Sequence, residues 1–334
     1  MKTIYADAAA SSLKTQAVID AEVDFLTNKY ANAGRGICAR AVAVDSMVAE
    51  TRRRVADFIG AADPEQVIFT GGATDGLNRV ARTLAGRRVI VSDLDHHSAR
   101  LPFEKYCQAI VAPLTDDLQY DWAAIRKLDA DAIVITAMSN VLGAAVDIPD
   151  DLPFIKIVDA SQLVIHKKLN AAAVDFMVFS GHKIGADTGL GILYQKTPGE
   201  PVNFGGGSFH GVGAAKYESG TLPLTQIAGL GAAIENLRDA GDLTPRLREK
   251  LAANPKIKFI SGPGASLITF NIDGAHFLDV GAMLGARGIC VRAGHHCATW
   301  LHKRLGIEGS VRISLGQWNT ADDVDAIAAA VNAI

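Results

Sequence analysis

Cysteine is scarce in this chain. Its 334 residues hold four, Cys38, Cys107, Cys290 and Cys297, with no Cys-x-x-Cys pair and no dense spacing. That excludes a disulfide framework and reads as reduced thiols in a cytoplasmic protein, one of them special. No apolar run approaches the roughly 20 residues of a membrane span, so no membrane partner is expected. The first residues lack the apolar core of a signal peptide, which argues against export. Charge of one sign is nearly absent as an excess, with a formal net charge of −3. Nothing here calls for nucleic acid or an anionic membrane surface as partner. No repeat and no low-complexity segment stands out.

What is present suffices for a large core. Apolar residues make up 49% and charged residues 21%. The length exceeds one ordinary domain, so a large and a smaller domain sharing an interface are expected. Gln16 to Tyr30 and Asp45 to Ile59 carry apolar residues at helical spacing. Short β-rich runs follow at Val67 to Thr70, Arg88 to Ser92, Ala132 to Thr136, Ile155 to Asp159 and Phe176 to Ser180. Continuously apolar strands separated by helix-length segments predict an α/β domain with a mainly parallel sheet buried on both faces. The strands end in polar residues, and a ligand crevice forms at such carboxyl ends. Asn203 to Gly211 reads as a mobile stretch, and a helix is expected near Leu222 to Leu237. Beyond it, strands at Ile257 to Ile260, Leu267 to Ile272, Ile289 to Arg292 and Val311 to Leu315 are expected. Helices at Phe277 to Leu284 and Ala321 to Val331 complete a small α+β domain. The predicted division is 13–237 for the large domain, with 1–12 and 238–334 forming the small one.

Three features carry chemistry. Thr70-Gly71-Gly72-Ala73-Thr74-Asp75-Gly76 lies between a strand and a helix, where free N–H groups and the helix dipole suit a phosphate. No Gly-Lys-Ser/Thr follows, so a nucleoside triphosphate is disfavoured. Asp159 ends one strand, and Ser180-Gly181-His182-Lys183 ends the next. A strand-end aspartate commonly caps a helix and a lone lysine is commonly solvated. On adjacent strand ends below a glycine-rich turn, the two suit pyridoxal phosphate (PLP). Lys183 would bond to the aldehyde, and Asp159 would keep the pyridine nitrogen protonated. Near the C-terminus comes Arg292-Ala293-Gly294-His295-His296-Cys297-Ala298, with a reactive-looking thiol. Three consecutive metal ligands on one ion are geometrically awkward, so no metal is expected there. Cys107 and Cys290 read as buried, inert thiols.

With these motifs in view, the chain resembles the class V aminotransferase superfamily of fold type I PLP enzymes. Within it, the similarity is greatest to the group II, SUF-type cysteine desulfurases. The likeness also rests on Tyr5-Ala6-Asp7-Ala8-Ala9-Ala10, Arg35-Gly36-Ile37, Asp95-His96-His97-Ser98, Ser139-Asn140-Val141-Leu142-Gly143, Val158-Asp159-Ala160-Ser161-Gln162, Glu218-Ser219-Gly220-Thr221 and Val311-Arg312-Ile313-Ser314-Leu315. The resemblance implies that Lys183 carries the cofactor, that Asp159 pairs with its ring nitrogen, and that His96 stacks on the ring. It places Gln162 and Asn140 on the ring-hydroxyl side. Ala73, Thr74, Ser180 and His182 hold the phosphate, with Thr221 reaching across a homodimer. Arg312 clamps the substrate carboxylate, for which a guanidinium fork is suited and a lysine is not. Cys297 corresponds to the family's persulfide-forming nucleophile. The chain departs from the family at Ala8, where serine or asparagine is usual, and at Gly34 and Cys38, where histidines are usual. It departs again at Thr299-Trp300, and loops around Gly205 to Tyr217 are shorter.

The implied reaction converts L-cysteine to L-alanine and leaves sulfur as a persulfide on Cys297. Lys183 shuttles the α-proton and His96 assists. Selenocysteine lyase, another class V aminotransferase or epimerase, and a PLP-binding scaffold without turnover stay open, because fold alone does not separate them. The SUF-type likeness further implies a small sulfur-acceptor protein. The brevity of the Ala293 to Trp300 segment predicts a recessed persulfide that this partner must reach.

Overall fold

The five β-rich runs of the first two-thirds all become strands of one seven-stranded sheet. The computed structural model describes residues 3–34, 36–237 and 242–334. In chain order its first part comprises β1 (Ile4–Tyr5), α1 (Gln16–Asp24), α2 (Ala39–Ile59), β2 (Val67–Thr70), α3 (Ala73–Thr83), β3 (Arg88–Val91), α4 (His97–Tyr106), β4 (Gln108–Val111), α5 (Trp122–Ile125), β5 (Ala132–Thr136), β6 (Ile155–Asp159), β7 (Phe176–Ser180), β8 (Gly191–Gln195), α6 (Gly206–His210) and α7 (Leu224–Glu235). The sheet order is β2-β8-β7-β6-β5-β3-β4. β8 runs antiparallel to both its neighbours, and the remaining pairs are parallel.

The central strands read clearly because both faces are covered. Val44, Val55, Ile59, Ile227 and Leu230 of α2 and α7 cover one face, and Leu77, Val80 and Phe103 of α3 and α4 the other. Beside the short β1, two strands of this sheet, β4 and β8, lie outside the expected runs. β4 is a mostly exposed edge strand, and β8 opens on Gly191. That glycine has a packing reason: a Cβ there would stand 2.4 Å from Gly72 Cα. α2 starts at Ala39, earlier than the Asp45 expected, and α1 gives way at Phe25 to a π-helical turn through Lys29. The stretch expected to be mobile, Asn203 to Gly211, contains the single turn α6, and a 3-10 turn at Gly213–Lys216 follows it. Below it, Arg52 and Glu218 form a buried two-pronged ion pair at 2.7 and 2.8 Å. Glu218 also accepts from Phe69 N at 2.7 Å, tying Ser219-Gly220-Thr221 to β2.

The second part comprises α8 (Thr244–Ala252), β9 (Ile257–Phe259), β10 (Ile268–Ile272), α9 (Phe277–Ala286), β11 (Ile289–Cys290), β12 (Arg292–Gly294), α10 (Thr299–Leu305), β13 (Ser310–Ile313) and α11 (Ala321–Asn332). The run expected as one strand at Ile289 to Arg292 divides. β11 pairs in parallel with β1, whereas β12 joins the antiparallel sheet β12-β13-β10-β9. A separate core gathers Ala6, Leu247, Phe270, Leu284, Val311 and Ile327. Residue 238, where the small domain is expected to begin, and the Arg35 of the Arg-Gly motif lie outside the described residues. No helix among the described residues is long and apolar enough to cross a membrane.

Candidate functional site

The pairing register sets the site. Thr136 lies opposite Asp159, Asp159 opposite Val178, and both Ser180 and Thr70 opposite Gly191. The polar ends of four strands are thus carried to one edge of the sheet. Gly72, with φ +147°, adopts a conformation that L side chains rarely take. It precedes α3 and offers no side chain to cap the first turn, leaving N–H groups there for an anion. Ala73 N donates to Ser180 Oγ at 2.9 Å, which joins the two halves of this cradle. Thr74 is exposed at its mouth. Ser161 Oγ and His182 Nδ1 are buried and lack a hydrogen-bond partner among the described residues. Burial and the nearby Lys183 hold His182 neutral, its pKa pushed down to about 4.

Lys183 is half-buried rather than solvated. Its Nζ donates to the Ala9 and Ala10 carbonyls at 2.6 and 3.0 Å. Burial, with Arg312 adding to it, pushes its pKa down to about 8. Gln162 Nε2 donates to the same Ala9 carbonyl at 2.9 Å. Buried Asp159 accepts from Ser161 N at 3.0 Å. His96 caps α4, and its Nδ1 accepts from Ser98 N at 3.1 Å. An N–H only donates, so in the neutral ring Nε2 carries the proton. Burial lowers the pKa of His96, against the pull of the Asp159 carboxylate.

Asp95, preceding His96, is fully buried. It accepts from Ser92 N and Thr136 Oγ1, each at 2.7 Å. Burial pushes its carboxyl up to about 8 from the ordinary 3.8, with Asp159 adding to the rise. A folded pKa above the unfolded one means the folded chain binds the extra proton. The resulting stability is complete below about pH 4 and is lost as pH climbs through about 8. Asn at this position keeps both contacts, since the Thr136 hydroxyl can turn to accept. Thermal unfolding of Asp95→Asn between about pH 5 and pH 8 is therefore expected to show a flatter decline than the wild type. An identical slope would show that Asp95 is already ionised in the fold.

Cys297 sits on a strained loop. His296 and Cys297 have φ of +52° and +55°, a region that costs non-glycine residues about 1–3 kcal/mol each. Both carbonyls are held in compensation: Asn140 Nδ2 donates to His296 O at 2.6 Å and His97 N to Cys297 O at 2.8 Å. The unusual Thr299-Trp300 fastens the same loop. His97 Nε2 lies 2.8 Å from Thr299 Oγ1, and Trp300 meets the His97 ring edge-on at 5.2 Å between centroids. Arg100 covers the Trp300 ring at 4.3 Å. The Cys297 side chain is exposed, which corrects the expectation of a recessed sulfur. Cys107 and Cys290 are half-buried rather than buried, and burial pushes the Cys107 thiol up to about 11.

Arg312 is 2% exposed on β13. One terminal nitrogen donates to Asp7 Oδ1 at 2.9 Å and the other to the Asn140 carbonyl at 3.1 Å. Arg292 takes the other Asp7 oxygen at 2.8 and 3.0 Å. Asp7 therefore bridges two arginines from the far end of the chain. Lys183, Asp159, Gln162, Asn140, His96, Cys297 and Arg312 are linked through these strand ends, the Ala9–Ala10 carbonyls and the Cys297 loop. Ala73, Ser180 and His182 adjoin them, whereas Thr221 is exposed on the chain's surface. Asp7 and Asp95 stand within the Tyr5–Ala10 and Asp95–Ser98 motifs, but local sequence gives neither of them a role.

The architecture and site are those of a class of enzymes built on fold type I. The aminotransferase class-V family model matches residues 4–327, and the chain belongs to that PLP-dependent family. Among curated relatives, the cysteine desulfurases of Yersinia pestis (strain Pestoides F) and Yersinia pseudotuberculosis serotype O:3 are each 34% identical over 377 aligned positions. Those matches cover 99% of this chain and 93% of each relative. Among solved structures, the cysteine desulfurase CsdA of Escherichia coli superposes with a TM-score of 0.89 at 29% identity, covering 99% of this chain and 94% of that one. The apo cysteine desulfurase of Thermococcus onnurineus NA1 gives 0.92 at 28% identity, with the same coverage. The residues present fit the cofactor: an uncapped helix start, two orphaned buried polar atoms, a strand-end carboxylate and a lysine of depressed pKa converge on one place.

Proposed function

We propose that the protein is a PLP-dependent cysteine desulfurase of the group II, SUF-type branch, taking sulfur from L-cysteine and leaving L-alanine. The observation that carries this reading is the exposed Cys297 on a loop held by hydrogen bonds from both His97 and Asn140. Amino transfer or epimerisation needs no thiol there. When bound, PLP supplies an electron sink that weakens bonds at the substrate α- and β-carbons.

The chain's own groups do the rest. Ala73, Thr74, Ser180 and His182 would hold the phosphate at the start of α3, and Asp159 the ring nitrogen. Gln162 and Asn140 would address the ring-hydroxyl side, and His96 would stack on the ring. Arg312 binds the substrate carboxylate with its terminal nitrogens, displacing its contacts to Asp7 and Asn140. Lys183 Nζ takes the α-proton and returns it, and the proton on His96 Nε2 is available to the departing group. Cys297 Sγ, having given up its proton, attacks the substrate sulfur as the bond from that sulfur to the β-carbon breaks. The bonding pair stays on the β-carbon, which takes up a proton in place of the one the thiol lost, so alanine leaves and the sulfur stays on Cys297. The test is incubation of purified protein with L-cysteine, measuring alanine. Formation above a PLP-only background is expected, and Cys297→Ser should abolish it. Unchanged turnover in that variant would return the chain to amino transfer.

The two cores support two domains, 13–237 and 1–12 with 238–334. A homodimer is supported by an uncovered stripe on and beyond α1. Ile19, Val23, Leu26 and Tyr30 recur at helical spacing and are 40, 52, 53 and 61% exposed. Thr221 would reach the phosphate of the second copy. Sedimentation is expected to show a dimer that Leu26→Glu dissociates; an equally dimeric variant would remove this stripe from the interface. The chain's four free thiols support a cytoplasmic setting. Since hydrogen bonds hold the Cys297 loop, a small acceptor protein would come to the persulfide, and exposure of Cys297 makes that approach direct.

A further inference from the structure

His302 and Ser310 have no role so far, yet both are buried and aligned on the residue before Cys297. His302 is 1% and Ser310 0% exposed. His302 Nδ1 lies 3.0 Å from the Ala298 carbonyl, which only accepts, so Nδ1 carries a proton. Burial depresses the pKa of this ring, leaving it neutral with a lone pair on Nε2. That Nε2 is 2.9 Å from Ser310 Oγ, so the hydroxyl donates its single proton to it. Ser310 Oγ must then accept from His296 Nε2, 3.0 Å away. Burial holds His296 neutral too, its pKa pushed down to about 3. The chain of donors therefore leaves His296 Nδ1 as a bare acceptor.

That acceptor is buried and has no hydrogen-bond partner among the described residues. Arg312 Nε is a buried donor in the same condition. Ser310 and Arg312 are two apart on β13, so their side chains leave the same face of the strand. A His296 ring bonded to Ser310 therefore lies beside Arg312.

We propose that His302, Ser310 and His296 are positioning residues for the carboxylate clamp, locking the His296 tautomer whose Nδ1 accepts from Arg312 Nε–H when substrate draws the terminal nitrogens off Asp7 and Asn140. The proposal rests on the reading of Arg312 as that clamp. In the opposite tautomer two N–H groups would face each other and turn the fork away.

Nitrogen NMR of ¹⁵N-histidine-labelled holoenzyme reads the tautomers directly. His296 protonated on Nε2 and His302 on Nδ1 are expected; His296 protonated on Nδ1 would overturn the proposal. His302→Leu frees the Ser310 hydroxyl to donate to His296 Nε2, so its His296 proton is expected on Nδ1. In that variant and in Ser310→Ala, KM for L-cysteine should rise roughly 3- to 10-fold, with kcat falling less than about 2-fold. Ser310→Thr, which keeps the hydroxyl, should restore KM. A His302→Leu enzyme with unchanged tautomer and unchanged KM would refute the relay. If Arg312→Lys leaves KM for L-cysteine unchanged while the tautomers are as expected, the clamp reading has failed and the proposal falls with it.

Discussion

Lys183→Ala is expected to lose both the visible absorbance of covalently held cofactor and essentially all alanine formation from L-cysteine. The amine has two duties in the reading above, bonding the cofactor and moving the α-proton. Loss of a positioned acid–base group alone costs about 10²–10⁴-fold. The free amine also binds the Ala9 and Ala10 carbonyls, and its removal takes this donor from Ala10 and leaves Ala9 to Gln162 alone. A fall in stability of about 1–3 kcal/mol is expected beside the loss of activity. Only the neutral amine attacks an aldehyde, and burial pushes its pKa down to about 8. Cofactor loading of apoprotein should therefore accelerate as pH rises from about 7 and level off above about 9. A variant that keeps more than about one-tenth of wild-type turnover would contradict the assignment of Lys183.

Arg312→Lys should lower kcat/KM for L-cysteine by about 100-fold or more, mainly through KM. Lysine keeps the charge but cannot offer two parallel donors to a carboxylate. Losing one charged hydrogen bond of about 1.5–3 kcal/mol and the fork geometry accounts for that factor. Truncation to alanine is the harsher change, because Asp7 would keep only Arg292 as partner. Breaking a buried pair on one side costs about 3–5 kcal/mol, so the alanine variant should lose stability as well as activity. Equal KM in wild type and Arg312→Lys would mean that another group binds the carboxylate.

The strands β2, β3, β5, β6 and β7 are legible because burial on both faces makes them continuously apolar, even for β2 at the sheet's edge. β4 lies exposed at an edge and lacks that signature; β8 is buried and apolar over Ile192 to Tyr194, but it opens on Gly191, a glycine set by close approach to Gly72 that reads locally as a break. Lys183, Asp159 and Cys297 could be read from local spacing and resemblance. The bridge from Asp7 to Arg292 and Arg312 could not, since its partners are 285 and 305 positions apart. The left-handed pair at His296 and Cys297 was equally hidden, because no glycine marks it. His302 reads in sequence as one more polar residue of a short helix, and only β13 brings Ser310 to it. Thr299-Trp300 looked like a departure from the family, and in the fold it fastens the Cys297 loop through His97 and Arg100.

Mass mapping of the four thiols after brief exposure to L-cysteine tests the central claim most directly. One additional sulfur on Cys297, in step with the alanine released, is the expected result. Exposed Cys38 controls for accessibility, and Cys107, its thiol pushed up to about 11, for inertness. Alanine formed without sulfur on Cys297, or sulfur carried equally by Cys38, would contradict the account.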